Sequence, residues 1–239
     1  MTLPAAVIFD VDGTLVDSER HGHRVAFNVA FEERGLPDRW DEATYGRLLE
    51  ITGGKRRLTH YLLDKGYPQD QASSLAAGLH ARKTELFRQL IDAGEVPARP
   101  GVTRLLNELA EAEVPVAIAT TGSRAWVSPL LERLFGLDRF TVILTGTEVP
   151  DRKPDPAVYV EALERLGTPA GEVVAVEDSA NGLAAARSAA IGCLVVTNDY
   201  TAGQDFSRAA LVVAGFDAPE AATAVTLQTL AGILARPES

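Results

Sequence analysis

Short apolar runs alternate with longer stretches of helical spacing over most of this chain. AAVIFD (5–10) is apolar enough to be a strand buried on both faces. VPVAIAT (114–120), VVAVED (173–178) and CLVVT (193–197) repeat the pattern, and VILTG (142–146) and ALVVA (210–214) are weaker versions of it. Between the runs, GVTRLLNELAEA, RAWVSPLLERLFG, PAVYVEALERLG and NGLAAARSAA place apolar residues on one helical face. Strand–helix alternation of this kind predicts a parallel sheet flanked by helices.

Residues 17–97 break that rhythm. They contain no comparable strand run and read as helices: ERHGHRVAFNVAFEERG, DEATYGRLLEI, GKRRLTHYLLDKG and QDQASSLAAGLHARKTELFRQLIDAG. GLPD and GYPQD mark turns between them. The expected organisation is an α/β core of residues 1–16 and 98–239, split by a helical insertion at 17–97. The terminal ARPES is expected to fray.

Composition narrows the class. The chain has 239 residues, 46% hydrophobic and 23% charged, with a formal net charge of -10. Such acidity argues against nucleic acid or an anionic membrane as partner, and leaves room for a small anionic substrate in a local basic pocket. The lone Cys193 lies in the apolar run IGCLVV and reads as a small buried hydrophobe. One thiol forms no internal disulfide, which fits a reducing compartment. No basic stretch leads into a long apolar run, and no run approaches the roughly 20 residues that span a bilayer. A cytoplasmic monomer is the expectation.

In an open parallel sheet, ligands bind at the carboxyl ends of the strands. There the sequence places Asp10 and Asp12, then Thr120, Thr121, Gly122 and Ser123, then Glu177 and Asp178, with Lys153 in DRKPDP ahead of a helix. Any of these alone could be a turn, a cap or a solvated loop residue. Together they sort acids, hydroxyls and one lysine onto separate strand ends. Asp10 and Asp178 could share a hard cation, and Mg²⁺ suits carboxylates that also meet a phosphate. Lys153, the threonine hydroxyls and loop amides suit the phosphate. At a rigid strand end, Asp10 could attack phosphorus and form an aspartyl-phosphate. Asp12, two residues on, could protonate the leaving oxygen and then activate water. Gly13 permits the tight turn that follows.

DVDGT, a strand-ending Thr120, KPDP and EDS, in this order, resemble the four motifs of the haloacid dehalogenase superfamily. The resemblance implies a Rossmann-like core with an all-helical cap, Asp10 as nucleophile and Asp12 as general acid/base. It also implies that Thr120 and Lys153 hold the phosphoryl group. Mg²⁺ would be bound by the Asp10 side chain, the Asp12 carbonyl and Asp178, with Glu177 behind them. The second aspartate and the EDS acids favour the phosphatase branch. GHRVAFN, GGKRR, GLHARKTELF, RPGV and YTAGQDF further resemble the CbbY-type phosphatases associated with Rubisco, which act on xylulose 1,5-bisphosphate. That resemblance makes Glu19, His23, Lys55, Arg56, His80 and Lys83, with Thr121, candidates to bind a phosphorylated sugar. His80 and Lys83 share a helix face, and Lys55 and Arg56 sit at a helix start, where free N–H groups favour anions. A β-phosphoglucomutase-like mutase and a phosphoglycolate-type phosphatase are the alternatives. The motif ATTGS departs from the pattern: Gly122 stands where a third hydroxyl or similar polar residue is expected. Trp40 and Trp126 read as packing residues.

Overall fold

The structure, a computed structural model, describes residues 2–51, 53–149, 151–217 and 224–234. The terminal ARPES lies outside them. The chain forms two compact units, one of Met1–Asp17 with Ala98–Ser239 and one of Ser18–Pro97.

Strand β1 (Ala6–Phe9) opens the first unit and is buried throughout. A tight loop follows, in which Thr14, Leu15 and Val16 all direct their N–H groups at the Val11 carbonyl. Val16 then pairs with Ala98, so the points where the chain leaves and re-enters this unit lie side by side.

Ser18–Pro97 is helical. A π-helical turn at Glu19–His23 runs into α1 (Arg24–Glu33). Helix α2 (Glu42–Leu48) is capped by Asp41, which accepts from the Thr44 N–H at 2.7 Å. Next come α3 (Gly54–Asp64) and α4 (Gln69–Ala93); α4 ends at Gly94 in the left-handed conformation. Trp40 is fully buried among Phe27, Phe31 and Tyr61, with ring centroids 4.8, 5.0 and 5.1 Å away. The Asn28 amide fixes it by bonding both the carbonyl and the N–H of Trp40.

The first unit resumes with α5 (Val102–Glu111), whose buried stripe is Val102, Leu105, Leu106 and Leu109. Then follow β2 (Val116–Ala119), α6 (Arg124–Phe135), β3 (Val142–Leu144), α7 (Ala157–Leu166), β4 (Val173–Glu177), α8 (Ala180–Ser188), β5 (Gly192–Val196), β6 (Leu211–Val213) and α9 (Leu227–Leu234). The sheet order is β3-β2-β1-β4-β5-β6 and every pair is parallel. β1, β2 and β4 carry no exposed residue, which is why their sequences are apolar without alternation. From β1 the chain builds outward to β2 and β3, then crosses back to place β4 on the other side. That reversal is the topological switch point, and it lies at the carboxyl end of β1.

Cys193 is buried in β5, as its surroundings in the sequence predict. Among the described residues no helix is long and apolar enough to cross a membrane.

Candidate active site

Register brings the acids together. Phe9 pairs with Ile118 on one side and Val176 on the other, so the residues that follow, Asp10, Ala119 and Glu177, stand at one level at the carboxyl end of the sheet. The Asp10 N–H still bonds the Val176 carbonyl at 3.0 Å, which fixes the start of the loop. Asp10, Glu177 and Asp178 are all buried, and one carboxylate oxygen from each lies within 4.8 Å of the others.

Lys153 enters this cluster from the loop before α7. Its Nζ donates to Asp10 Oδ1 at 2.7 Å, to Glu177 Oε1 at 2.5 Å and to the Ala119 carbonyl at 2.8 Å. Burial alone would lower its pKa, but Asp10 and Glu177 outweigh it and hold the ammonium above its ordinary range. Tyr159, on the buried face of α7, donates to the same Glu177 oxygen at 2.5 Å. Glu177 Oε2 is buried and has no hydrogen-bond partner. Gly182 is required beside it, because a Cβ there would come within 1.9 Å of that oxygen.

Charge is unbalanced here. Burial pushes the Asp10 carboxyl well above the carboxylate range; Lys153 pulls it down, while Glu177, Asp178 and Asp12 push it further up. Asp178 is pushed up to about 8, chiefly by burial and then by Glu177, against the Asn198 amide, Arg99 and Lys153. Three buried carboxylates, one with an oxygen lacking any partner, and a single ammonium among them make a donor set that fits a hard cation.

The loops hold the rest of the site. Asp12 is half-buried, beyond the strand end. Gly13 has φ +76°, and a Cβ on it would come within 2.2 Å of Asp178 Oδ2, so both conformation and space demand glycine. Thr120 is buried, and its hydroxyl accepts from the Gly122 N–H at 3.0 Å. Thr121 is partly exposed, and its carbonyl takes a bond from Arg152. At Gly122 a Cβ would meet the Trp126 ring at 2.3 Å. The missing hydroxyl therefore has a packing cause: Trp126 occupies the space. Asp178 does not cap α8; Ser179 does, accepting from the Gly182 N–H at 3.1 Å.

In the Ser18–Pro97 unit, the predicted residues fall into separate groups. His23 and Lys83 are both buried, with Lys83 Nζ 2.8 Å from His23 Nδ1 and 5.1 Å from the Phe27 and Phe87 ring centroids. Gly22 allows this, since a Cβ would meet Phe87 at 2.2 Å. Glu19 accepts from the Tyr45 hydroxyl at 2.5 Å, and Arg57 donates to the same hydroxyl at 3.3 Å. Lys55 and Arg56 are exposed at the start of α3, whereas their neighbour Arg57 is buried. The His80 ring lies against Gly54, at the same helix start.

The fold that carries these residues is shared with known proteins. A family model for haloacid dehalogenase-like hydrolases matches residues 4–190. The chain belongs to the haloacid dehalogenase-like hydrolases. The CBBY-like protein of Arabidopsis thaliana is 45% identical over 216 residues, covering 87% of this chain and 68% of that one. The CbbY protein of Cupriavidus necator is 44% identical over 214 residues, covering 87% and 84%. The crystal structure of CbbY from Rhodobacter sphaeroides in complex with phosphate superposes with a TM-score of 0.79 at 38% identity, covering 89% of this chain and 95% of that one. A mutant of that CbbY, with the same agreement, is in complex with xylulose 1,5-bisphosphate. Within its family, this hydrolase is of the CbbY type and is a phosphatase.

Several residues of the hydrolase site escape the sequence reading. Arg99 donates to the carbonyls of Gly13, Val196 and Thr197, tying the loop after Asp12 to the end of β5. Asn198 donates to Asp178 Oδ2 at 2.8 Å. Asn198 lies just past the CLVVT run, so the strand-end rule extended to that run points to it. Tyr159, Tyr45 and Arg57 carry no such signal, because each looks like an ordinary face residue of its helix.

Proposed function

We propose that the enzyme hydrolyses one phosphate ester of a small sugar bisphosphate, xylulose 1,5-bisphosphate, through an aspartyl-phosphate on Asp10. The observation that carries the chemistry is Lys153 Nζ at 2.7 Å from the buried Asp10 carboxylate, with Glu177 on its other side. An ammonium there opposes the rise that burial imposes on the carboxyl and screens the carboxylate from an incoming phosphate.

Asp10 attacks phosphorus, and the bond from phosphorus to the sugar oxygen breaks. Asp12, half-buried and within reach of water, gives its proton to that oxygen. It then takes a proton from the water that attacks the phosphorus of the aspartyl-phosphate, which frees inorganic phosphate and restores Asp10. Thr120, Thr121 and Lys153 hold the phosphoryl oxygens. Asp10, the Asp12 carbonyl and Asp178 would hold Mg²⁺, with Glu177 behind them. When bound, the ion offsets the negative charge of carboxylates and phosphate. Its fit rests on the acidic cluster and on the unpartnered Glu177 oxygen.

The substrate assignment draws on the xylulose 1,5-bisphosphate complex of the Rhodobacter sphaeroides CbbY mutant. Glu19, His23, Lys55, Arg56, His80 and Lys83 are the residues we assign to the sugar and its second phosphate. The single buried thiol supports a cytoplasmic setting.

The test is phosphate release from xylulose 1,5-bisphosphate, ribulose 1,5-bisphosphate, fructose 1,6-bisphosphate, phosphoglycolate and β-glucose 1-phosphate, with Mg²⁺ and with chelator. The expected result is a kcat/KM preference for xylulose 1,5-bisphosphate that chelation abolishes. Activity centred on another substrate overturns the substrate assignment. Full activity in chelator overturns the metal assignment. Conversion of β-glucose 1-phosphate to glucose 6-phosphate without phosphate release would mark a mutase.

A further inference from the structure

A cavity lies away from the acidic cluster, between α8 and the loop before β6. Its volume is about 240 Å³, and Arg187, Arg208, Asp205, Ser207, Leu183 and Ala184 are among its lining residues. The space suits a molecule the size of a small phosphorylated polyol.

Two observations point to an anion. On a chain of net charge -10, this cavity gathers two arginines. Among the described residues, no carboxylate lies within 4.0 Å of either guanidinium; the acids elsewhere pair with Arg82, Arg104, Arg124 and Arg165. Asp205 lines the same cavity, yet its carboxylate is turned to the Ser207 N–H at 2.9 Å. The second observation is that Arg187 Nη1 donates to the Arg208 carbonyl at 3.1 Å, which holds the Arg187 side chain against the loop that carries Arg208. Two guanidiniums at one cavity without a carboxylate to pair with repel each other, and an anionic occupant offsets that repulsion.

We propose that this cavity is a binding site for a small phosphate monoester. The phosphoryl group sits between Arg187 and Arg208, whose planar donors suit it. Hydroxyl groups of the ligand meet Asp205 and Ser207, and its carbon skeleton lies along Leu183 and Ala184. The site is independent of the reaction assigned above, since none of these residues belongs to the acidic cluster.

Calorimetric titration of the whole chain in chelator, with inorganic phosphate and with glycerol 3-phosphate as probes, tests this. The wild-type protein is expected to bind one more equivalent of glycerol 3-phosphate than the Arg187→Gln/Arg208→Gln double variant. Arg208→Gln alone leaves the bond from Arg187 to the 208 carbonyl available, so it should fold normally and weaken that equivalent about tenfold. Arg133→Gln, which removes an exposed arginine on α6, should change nothing. Identical isotherms for wild type and Arg208→Gln overturn the site, as does an equal loss in Arg133→Gln. Equal affinity for the two probes retains the anion site and overturns the roles given to Asp205 and Ser207.

Discussion

Lys153 and Asp10 are 143 positions apart in the chain and 2.7 Å apart in space, both buried. The pair is the electrostatic centre of the first unit, because Lys153 is also the cation that Glu177 meets at 2.5 Å. Removing one partner of such a cluster leaves unpaired charge behind, which costs roughly 3–5 kcal/mol. Lys153→Met preserves most of the volume and removes only the charge. Its kcat is expected to fall about 10³-fold, with a lower melting temperature in the absence of metal. Steady-state kinetics and thermal denaturation measure both; a variant with wild-type kcat would remove the central argument for Asp10 as nucleophile.

Tyr159 acts one step further out. Its hydroxyl and Lys153 Nζ share Glu177 Oε1, so the phenol helps to fix the carboxylate that fixes the lysine. Tyr159→Phe deletes one hydrogen bond to a charged acceptor, worth about 1.5–3 kcal/mol. The expected outcome is a kcat reduced about tenfold with KM nearly unchanged. The melting temperature should drop by about 3–12 °C for a protein of this size. An unchanged kcat with the same drop in melting temperature would make Tyr159 purely structural.

How far the sequence reading reaches depends on what each residue acts upon. β1, β2 and β4 are apolar on both faces, and a buried parallel strand has no other way to look. The strand-end acids, Thr120 and Lys153 follow from that sheet, since a switch point gathers what the strand ends carry. Helix α9 was not foreseen: TLQTLAGIL is short and largely apolar, and Gln228 and Thr229 are too few polar residues to mark a helical period. Arg99 and Asn198 were missed for another reason. Arg99 binds backbone carbonyls, which leave no trace in sequence, and Asn198 meets an acid 20 positions away. In GGKRR the three basic residues look alike, and only the helical phase of α3 buries Arg57 while exposing Lys55 and Arg56.

Glu148 gives the first unit an acid-sensitive clamp at the end of β3. Burial would raise its pKa, but hydrogen bonds from Arg124 and from the hydroxyl and N–H of Thr145 bring it down to about 2. A depressed carboxylate stabilises the fold above its unfolded pKa and loses that contribution as pH falls through the folded value. The window is therefore about pH 4.5 down to about pH 2. Because Glu148 is partly exposed, the contribution is discounted to about 1–2 kcal/mol. Glu148→Gln should lose this amount at pH 7 in chemical denaturation and show a flatter stability profile through that acid window.

Asp178 works in the opposite sense. In the metal-free protein its carboxyl is pushed up to about 8, so the folded state binds a proton that the unfolded chain gives up near pH 4. A raised pKa contributes stability that is fully present below the unfolded value and is lost as pH rises toward the folded one. With chelator present, the melting temperature should therefore fall between about pH 6 and pH 8. Asp178→Asn should flatten that slope. Mg²⁺ competes with the same proton, so its binding should release protons and tighten with rising pH up to about 8. At 100 times its dissociation constant the ion adds about 2.7 kcal/mol, which for this size is roughly 5–10 °C in melting temperature. Thermal scans from pH 6 to 9, with and without Mg²⁺, should show a gain from the metal that grows with pH in the wild type and is absent in Asp178→Asn. A pH-independent gain, or one that survives in the variant, would place the ion somewhere other than on Asp178.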